Sequence, residues 1–493
     1  MGGEEPRAGG DSIARNTAFA FAVQVTTAAF TAVLTLFLVR SLGAHGYGAF
    51  ALALSLASLV ALPADFGLAA SAARFIAEHR GDRPAIARVT REALRLKIVF
   101  AGLVSLGLVA LAGTIASAYG DHSLAWPLRG AAVSLFGQSM FAFFRNSFVA
   151  QAKASASFAI VASESAIETG ASIGLVLLGA GATGAMFGRS AGYVLGALLG
   201  LVLTTRLLGS SVLSLRRAAG PRTEGLGRYA AALMVIDGSF ILFSQIDSVL
   251  IGAFLTTSAV GVFNAPMRLL VLLHYPGLAI ANGVAPRLAR HRRDGPNVAA
   301  FVRALRYLLL FQAFTVAPLV VWADPIARLT LGGGYGESAD VLRALAPFVY
   351  MSGPAALLSL GINYLGEARR RVPIAVVTVL IALGIDLVLI PRIGIVGAAI
   401  GTDVGYLLYS PAHLWACRRV IDLPLRPLLL AVGRSLLAAA VMAAVLLALG
   451  TSSHLELWRW LAGGLGGPLA FLAVLLATRE LRFADLRSLR PSA

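Results

Sequence analysis

The sequence predicts an all-α integral membrane protein. Fourteen transmembrane helices are expected, as two parallel six-helix repeats plus two appended helices, with both termini cytoplasmic. Three observations predict this. The chain is too apolar for a soluble fold, its arginines fall on alternate loops, and one ungapped offset of 213 positions relates its halves.

Composition sets the class. Of 493 residues, 58% are hydrophobic and 13% charged, against roughly 25% charged in soluble domains. Mean hydropathy is +0.81. A soluble core cannot absorb that much apolar side chain, so the chain is polytopic. A net charge of +17 would suggest nucleic acid in a soluble protein, but no soluble module exists to carry such a site. Cys417 is the single cysteine, so no internal disulfide, thiol metal site or redox motif is expected. Met1 to Asn16 opens with Glu4 and Glu5 instead of a basic segment. The apolar run behind it is too long for a signal peptide and reads as an uncleaved first span.

A span needs about 20 mainly apolar residues. The qualifying segments are 13–39, 48–72, 97–118, 127–150, 155–179, 183–207, 229–252, 259–284, 304–323, 341–363, 373–391, 396–416, 427–450 and 459–478. Basic residues mark one set of loops: Arg74 to Arg95, Lys153, Arg206 to Arg228, Arg287 to Arg306, Arg369 to Arg371, and Arg418 to Arg426. Arg7 and the tail residues Arg479 to Arg490 belong to the same side. The other loops are short and carry Asp121, Asp324, Glu337, Asp340 and Glu456. Positive residues stay inside, so both termini are cytoplasmic.

The longest loop, near 208–228, has about 20 residues, too few for a folded domain. Membrane glycosyltransferases and glycan ligases usually carry a sizeable extracytoplasmic loop, which this chain lacks. Neither lysine, Lys97 or Lys153, sits in a phosphate-binding Gly-rich loop, so no ATP-driven motor is expected. No His-Glu-x-x-His, nucleophile elbow or Cys/His cluster is present, and no catalytic residue, metal or cofactor is expected.

The repeat is read from Gly184-Ala-Met-Phe-Gly188-Arg-Ser-Ala-Gly192-Tyr193 and Gly397-Ala-Ala-Ile-Gly401-Thr-Asp-Val-Gly405-Tyr406. The same offset pairs Arg15 with Arg228, Gln24 with Asp237, Gly48 with Gly261, Phe50 with Phe263, and Gly181 with Gly394. A glycine every fourth residue lets another backbone approach closely in lipid, although it weakens a helix in water. Spans 6 and 12 are therefore expected to pack tightly within their own lobes. The predicted organisation is an N-lobe over 1–207, a cytoplasmic linker over 208–228, a C-lobe over 229–420, and two further spans with a tail over 421–493. An even span count per repeat makes the copies run the same way, with a substrate cavity expected between them.

Several short motifs carry a family likeness: Leu42-Gly43 with Tyr47-Gly48-Ala49-Phe50, then Asp65-Phe66-Gly67-Leu68 with Arg74. Val260-Gly261-Val262-Phe263-Asn264 with Arg268, Leu331-Gly332 with Tyr335, and Pro391 to Ala399 follow in the second half. In these the chain resembles the oligosaccharide flippase branch of the multidrug/oligosaccharidyl-lipid/polysaccharide (MOP) exporter superfamily. The resemblance covers almost the whole chain. It implies a V-shaped, two-lobed transporter and a polyprenyl-diphosphate-linked oligosaccharide moved to the outer leaflet for surface polysaccharide assembly. A monomer in the bacterial cell membrane is expected, with a polysaccharide polymerase or glycosyltransferase complex as possible partner. A cation-coupled multidrug or metabolite exporter and a peptidoglycan-precursor (lipid II) flippase are the competing readings.

Charges within spans are functional candidates by default. Gln24, Asp65, Arg145, Asn146 and Asp237 lie toward the cytoplasmic third; Glu164, Glu168 and His274 lie near the middle; Arg189, Asp247, Arg268, Asp386 and Asp403 lie toward the outer third. Arg145, Arg189 and Arg268 are the candidates for an anionic head group, because guanidinium forks match phosphate oxygens. The alternatives are snorkelling for Arg145 and, for Arg189 and Arg268, neutralisation of Asp403, Asp386 or Asp247. Gln24 and Asp237 should line equivalent cavity walls. Glu164 and Glu168 share one face of span 5. They are candidates for proton or cation coupling, or instead for sugar hydroxyls or pairing with Arg145. Asp65 reads as structural and His274 as a packing residue.

Overall fold

The computed structural model describes residues 13–65, 67–213, 226–288 and 296–481. The side chains of 226–237 and of His274 lie outside that description, as do the basic residues 216–222, 289–293 and 482–490. The described residues are helical throughout, with no strand. Among the described residues, seven helices are long and apolar enough to cross a membrane, or up to nine when each bent pair counts as one span. Two of these candidates each hold two apolar segments, joined across a glycine break. Helix α1 (Ile13–Asp65) runs 53 residues, about 80 Å of helix against an apolar bilayer core near 30 Å. It is interrupted at Gly43, whose φ of 65° and ψ of 179° are not helical. The stretch Ala154–Leu208 counts as one candidate, yet it holds α5 (Ala154–Leu175) and α6 (Gly181–Leu208). Gly179 (φ 89°) and Gly181 (φ 53°) reverse the chain between them, in a backbone region that only glycine enters cheaply.

The chain forms two compact units, Met1–Gly261 and Val262–Ala493. In the first, α6 lies between α5 and α4 (Ala125–Ala150); α3 (Arg83–Ala118) packs on α4, and α1 on α5. Helix α2 (Leu68–Glu78) follows a left-handed Gly67. The apolar segment predicted over 48–72 is therefore two helices. Helix α7 (Leu226–Phe254) packs on α1 and α2, which carries this compact unit past the 208–228 linker to Gly261. The first turn of α8 (Thr257–Val284) closes that unit.

In the second unit, α14 (Ile395–Arg418) lies against α13 (Arg371–Ile393) and α12 (Ala346–Tyr364). Helix α9 (Val298–Val321) packs on α12 and on α15 (Leu425–Ala448), which in turn holds α16 (Leu457–Ala477). After the short helix α10 (Ala323–Leu331), the apolar segment predicted over 341–363 bends by 51° where α11 (Ser338–Ala344) meets α12. One apolar core joins Leu305, Leu308, Leu358, Ile362 and Cys417. Another joins Ala313, Trp322, Ala438, Met442 and Phe471, and so fastens the appended helices to α9.

Trp322 donates its indole N–H to Gly450 O at 3.1 Å and meets Trp460 edge-on at 5.0 Å. At the other end of α16, Arg479 (φ 56°) turns the chain so that Glu480 N–H reaches Leu475 O at 2.9 Å. Buried Glu480 then accepts from Arg306 of α9 at 2.7 Å and from Arg434 of α15 at 2.8 Å. Both ends of the appended pair are thus tied down.

The repeat survives at the level of contacts. Gly181 and Gly394 open α6 and α14 with the same unusual backbone, φ 53° and ψ −141° against φ 68° and ψ −146°. A Cβ on Gly188 would overlap the Ser172 backbone of α5, and one on Gly401 would overlap the Asp386 carboxylate of α13. Ser190 donates to Gly130 O of α4 at 2.7 Å; its counterpart Asp403 accepts from Phe348 N–H of α12 at 2.8 Å. Tyr193 and Tyr406 each meet a phenylalanine edge-on, Phe141 at 5.5 Å and Phe348 at 4.7 Å. The glycine strips therefore do the same work twice, as tight packing inside each unit.

Candidate substrate and coupling sites

A buried polar cluster in the first unit lies between α5 and α6. Glu164 and Glu168 are one turn apart on α5 and both are buried. The hairpin at 176–181 folds α6 back on them, and Arg189 donates from Nη1 to Glu168 Oε1 at 2.6 Å. Its other arm reaches the Tyr193 hydroxyl at 3.3 Å, and its guanidinium stands 4.8 Å from that ring's centre. Gly192 makes room for this: a Cβ there would stand 2.7 Å from Glu168 Cβ. Glu164 has no ion pair among the described residues; it accepts from the Ser165 hydroxyl at 3.1 Å and stands within hydrogen-bonding reach of the Glu168 carboxyl. Two carboxylates thus share a pocket with one paired guanidinium.

That pairing revises the expectations for these residues. Arg189 neutralises Glu168, not Asp403, Asp386 or Asp247. The partners are 21 positions apart, and only the reversal of the hairpin brings them face to face. Arg145 on α4 is exposed and forms no ion pair with either glutamate or with any other described residue. Arg268 on α8 is half-buried, again with no ion pair among the described residues. Gln24 is exposed on α1. Asp237 lies on α7 with its side chain outside the described residues.

Two constellations escaped the sequence reading. Lys97, fully buried on α3, forms an ion pair with Asp65 at the end of α1. This supports a structural role for Asp65, and a separation of 32 positions hides it from local patterns. In the second unit, His413 of α14 is buried against Tyr409, ring centres 3.9 Å apart, and its Nδ1 lies 2.9 Å from Tyr409 O. Tyr409 donates to Ser359 at 3.2 Å, and Arg371 nearby donates to Asn363 at 2.9 Å. The spacing of Tyr406, Tyr409 and His413 on one helical face was the available signal. Among the described residues no group of three or more His, Cys, Asp or Glu could hold a metal ion.

One further contact bears on movement. Gly48 of α1 and Gly261 of α8 touch backbone to backbone within the first unit. A Cβ on Gly48 would stand 2.9 Å from Gly261 N, and one on Gly261 would stand 3.0 Å from Gly48 N. Each would also overlap a carbonyl oxygen, Thr257 O and Ala44 O respectively. Both pairs obey the 213-residue offset, Ala44 with Thr257 and Gly48 with Gly261.

Residues 13–291 match the profile of a family described as polysaccharide biosynthesis protein. The chain belongs to that family. It is thereby placed in the oligosaccharide flippase branch of the MOP superfamily that its motifs resemble. Among curated relatives, the probable low-salt glycan biosynthesis flippase Agl15 of Haloferax volcanii is 23% identical over 388 residues, covering 76% of this chain and 77% of that protein. The probable flippase AglR of the same organism is 23% identical over 447 residues, 88% of this chain and 89% of that protein. Among solved structures, the lipid II flippase MurJ in an inward closed conformation superposes with TM-score 0.73 at 13% identity, covering 94% of this chain and 99% of that one. An inward-facing multidrug resistance MATE transporter gives TM-score 0.63 at 16% identity, covering 82% and 98%. At those identities the likeness is one of fold. This member of the polysaccharide biosynthesis family has a multi-pass membrane transporter fold.

Proposed function

We propose that the protein is an alternating-access flippase. It moves a polyprenyl-diphosphate-linked oligosaccharide from the cytoplasmic to the outer leaflet of the bacterial cell membrane, for surface polysaccharide synthesis. It crosses the membrane fourteen times, with both termini in the cytoplasm. It works as a monomer, handing its cargo to a polymerase and glycosyltransferases. Membership of the polysaccharide biosynthesis family over 13–291 carries this reading.

The residues fit an anionic cargo. Arg145 and Arg268 keep guanidinium groups without carboxylate partners among the described residues, whereas Arg189 is committed to Glu168. Free forks of this kind suit phosphate oxygens. Outward movement of an anion across an inside-negative membrane is favourable by about 2.3 kcal/mol per charge per 100 mV. A diphosphate with roughly two charges gains on the order of 5 kcal/mol, so no ATP-driven part is required. The Gly48–Gly261 crossing must separate when the path opens on its side, and glycine at both positions leaves no side chain there to disengage.

The test is transport of a lipid-linked oligosaccharide by purified protein in proteoliposomes, read as protection from an external glycosidase. Arg145→Ala and Arg268→Ala are each expected to lower the initial rate about tenfold, with normal amounts of inserted protein. Wild-type rates in both variants would remove these arginines from the site, and a rate unaffected by collapsing the potential would remove the driving force. Glu164 is the coupling residue in this reading, because Arg189 already neutralises Glu168. Glu164→Gln should therefore abolish any dependence of the rate on a proton or sodium gradient while the Arg189–Glu168 pair persists. An unchanged gradient dependence would rule this out.

The likeness of fold to the lipid II flippase over 94% of the chain favours a second reading, in which the cargo is a peptidoglycan precursor. Parallel assays with lipid II decide between the two cargoes.

A further inference from the structure

The turn between α4 and α5 builds a basic cavity in the first unit that the transport reading leaves unused. Helix α4 ends in a Schellman motif: Lys153 N–H reaches Phe148 O at 2.9 Å, and Ala152 N–H reaches Val149 O at 3.0 Å. Ala152 takes the left-handed position, φ 57°, where glycine is usual. The turn sets Lys153 immediately before α5, facing the last turns of α6. Between them lies a cavity of about 370 Å³, within the range of roughly 300–1,000 Å³ found for small-molecule sites. Its lining combines Lys153 and Arg206 with Leu203, Leu207, Ser155 and Ala156.

Three features show a shortage of negative charge. Neither Lys153 nor Arg206 has a carboxylate partner or a side-chain hydrogen bond among the described residues. The first turn of α5 carries no side-chain cap, and Ser155 and Ala156 of that turn face the cavity. Partial burial, then the positive charge of Arg83, holds the Lys153 ammonium below the usual lysine range. The two leucines supply an apolar wall beside this charge. Cations next to an apolar wall, at the level where the basic loops are expected to meet the inner leaflet, match an amphiphile with an anionic head.

We propose that this cavity binds the anionic phosphate head of a membrane lipid, with Lys153 and Arg206 as its cationic contacts and Leu203 and Leu207 along the lipid's apolar stem. The same chemistry has two sources, an anionic bilayer phospholipid and a polyprenyl diphosphate. The inner-leaflet level of the cavity rests on the topology of the transport reading, but binding is measured without turnover.

Native mass spectrometry of the purified full chain tests it, with dioleoylphosphatidylglycerol and undecaprenyl diphosphate titrated separately. Lys153→Gln with Arg206→Gln should weaken binding of at least one probe ten- to thirtyfold, roughly the loss expected for two cations at a membrane surface. Arg206 is exposed, so Arg206→Gln alone leaves the fold intact and should lose about fivefold. Lys153→Arg with Arg206→Lys should retain binding. Arg418→Gln with Arg426→Gln, which removes equal charge from the other unit, should change nothing. A loss confined to phosphatidylglycerol identifies a bilayer lipid, and a larger loss for the diphosphate identifies the cargo lipid. Equal affinities of wild type and the Arg206→Gln protein for both probes would overturn the proposal. So would an equal loss in the Arg418/Arg426 control. Neither outcome bears on the flippase reading, which the glycosidase-protection assay judges.

Discussion

Gly188→Leu should eliminate folded protein, and Gly188→Ala should already cost about 1–3 kcal/mol. The first added atom falls on the Ser172 backbone of α5, and backbone cannot rotate away as a side chain can. The two helices must separate, which would also disturb the Ser172 hydroxyl's hydrogen bond to Ala185 O, now 3.0 Å. Gly401→Ala should be milder, because its obstacle is the Asp386 carboxylate and not main chain. Gly102→Ala and Gly107→Ala in α3 serve as controls: a Cβ there meets nothing within 4 Å, and alanine favours a helix by up to about 1 kcal/mol. Monodisperse yield and thermal midpoint of the detergent-purified variants give the readout. Equal behaviour of Gly188→Ala and Gly102→Ala would show that the strip is not a close-packing device.

Arg189→Met should lower stability by about 3–5 kcal/mol, the cost of removing one member of a buried ion pair. Glu168 would lose its 2.6 Å partner, and Glu164 would remain beside it with no cation of its own. Tyr193 would also lose the cation over its ring. Glu168→Gln should cost less, because Arg189 keeps Tyr193 and gains access to Glu164. Replacing both partners with apolar residues should recover much of the loss, since a buried pair is worth little against a well-packed apolar substitute. A double-mutant cycle on thermal midpoints measures the coupling. Additive effects would mean that the pair contributes no interaction energy.

The difference between these two sites explains what was legible in advance. The Gly188 strip is a pattern along one helix, and its twin at Gly401 repeated that pattern at a constant offset. Periodicity therefore announced a tight face before any helix was placed against it. The Arg189–Glu168 pair has no such local signature. Its members lie on different helices, and three aspartates elsewhere were equally plausible partners. The Gly179–Gly181 reversal selects Glu168 by bringing α6 back along α5. Lys97 with Asp65, and Arg306 with Glu480, are hidden for the same reason, across 32 and 174 positions.

By itself, then, the sequence determined the membrane class, the apolar segments, the 213-residue repeat and the family likeness. These follow from composition and spacing, which the chain carries whatever its fold. The tertiary structure alone decided which charges neutralise each other. It also decided where α1 and several later helices break, and that Gly48 meets its own counterpart Gly261. Hydrophobicity tells a helix to be buried but is indifferent to its neighbour. An ion pair or a backbone contact depends on distance, and distance exists only once the helices are packed.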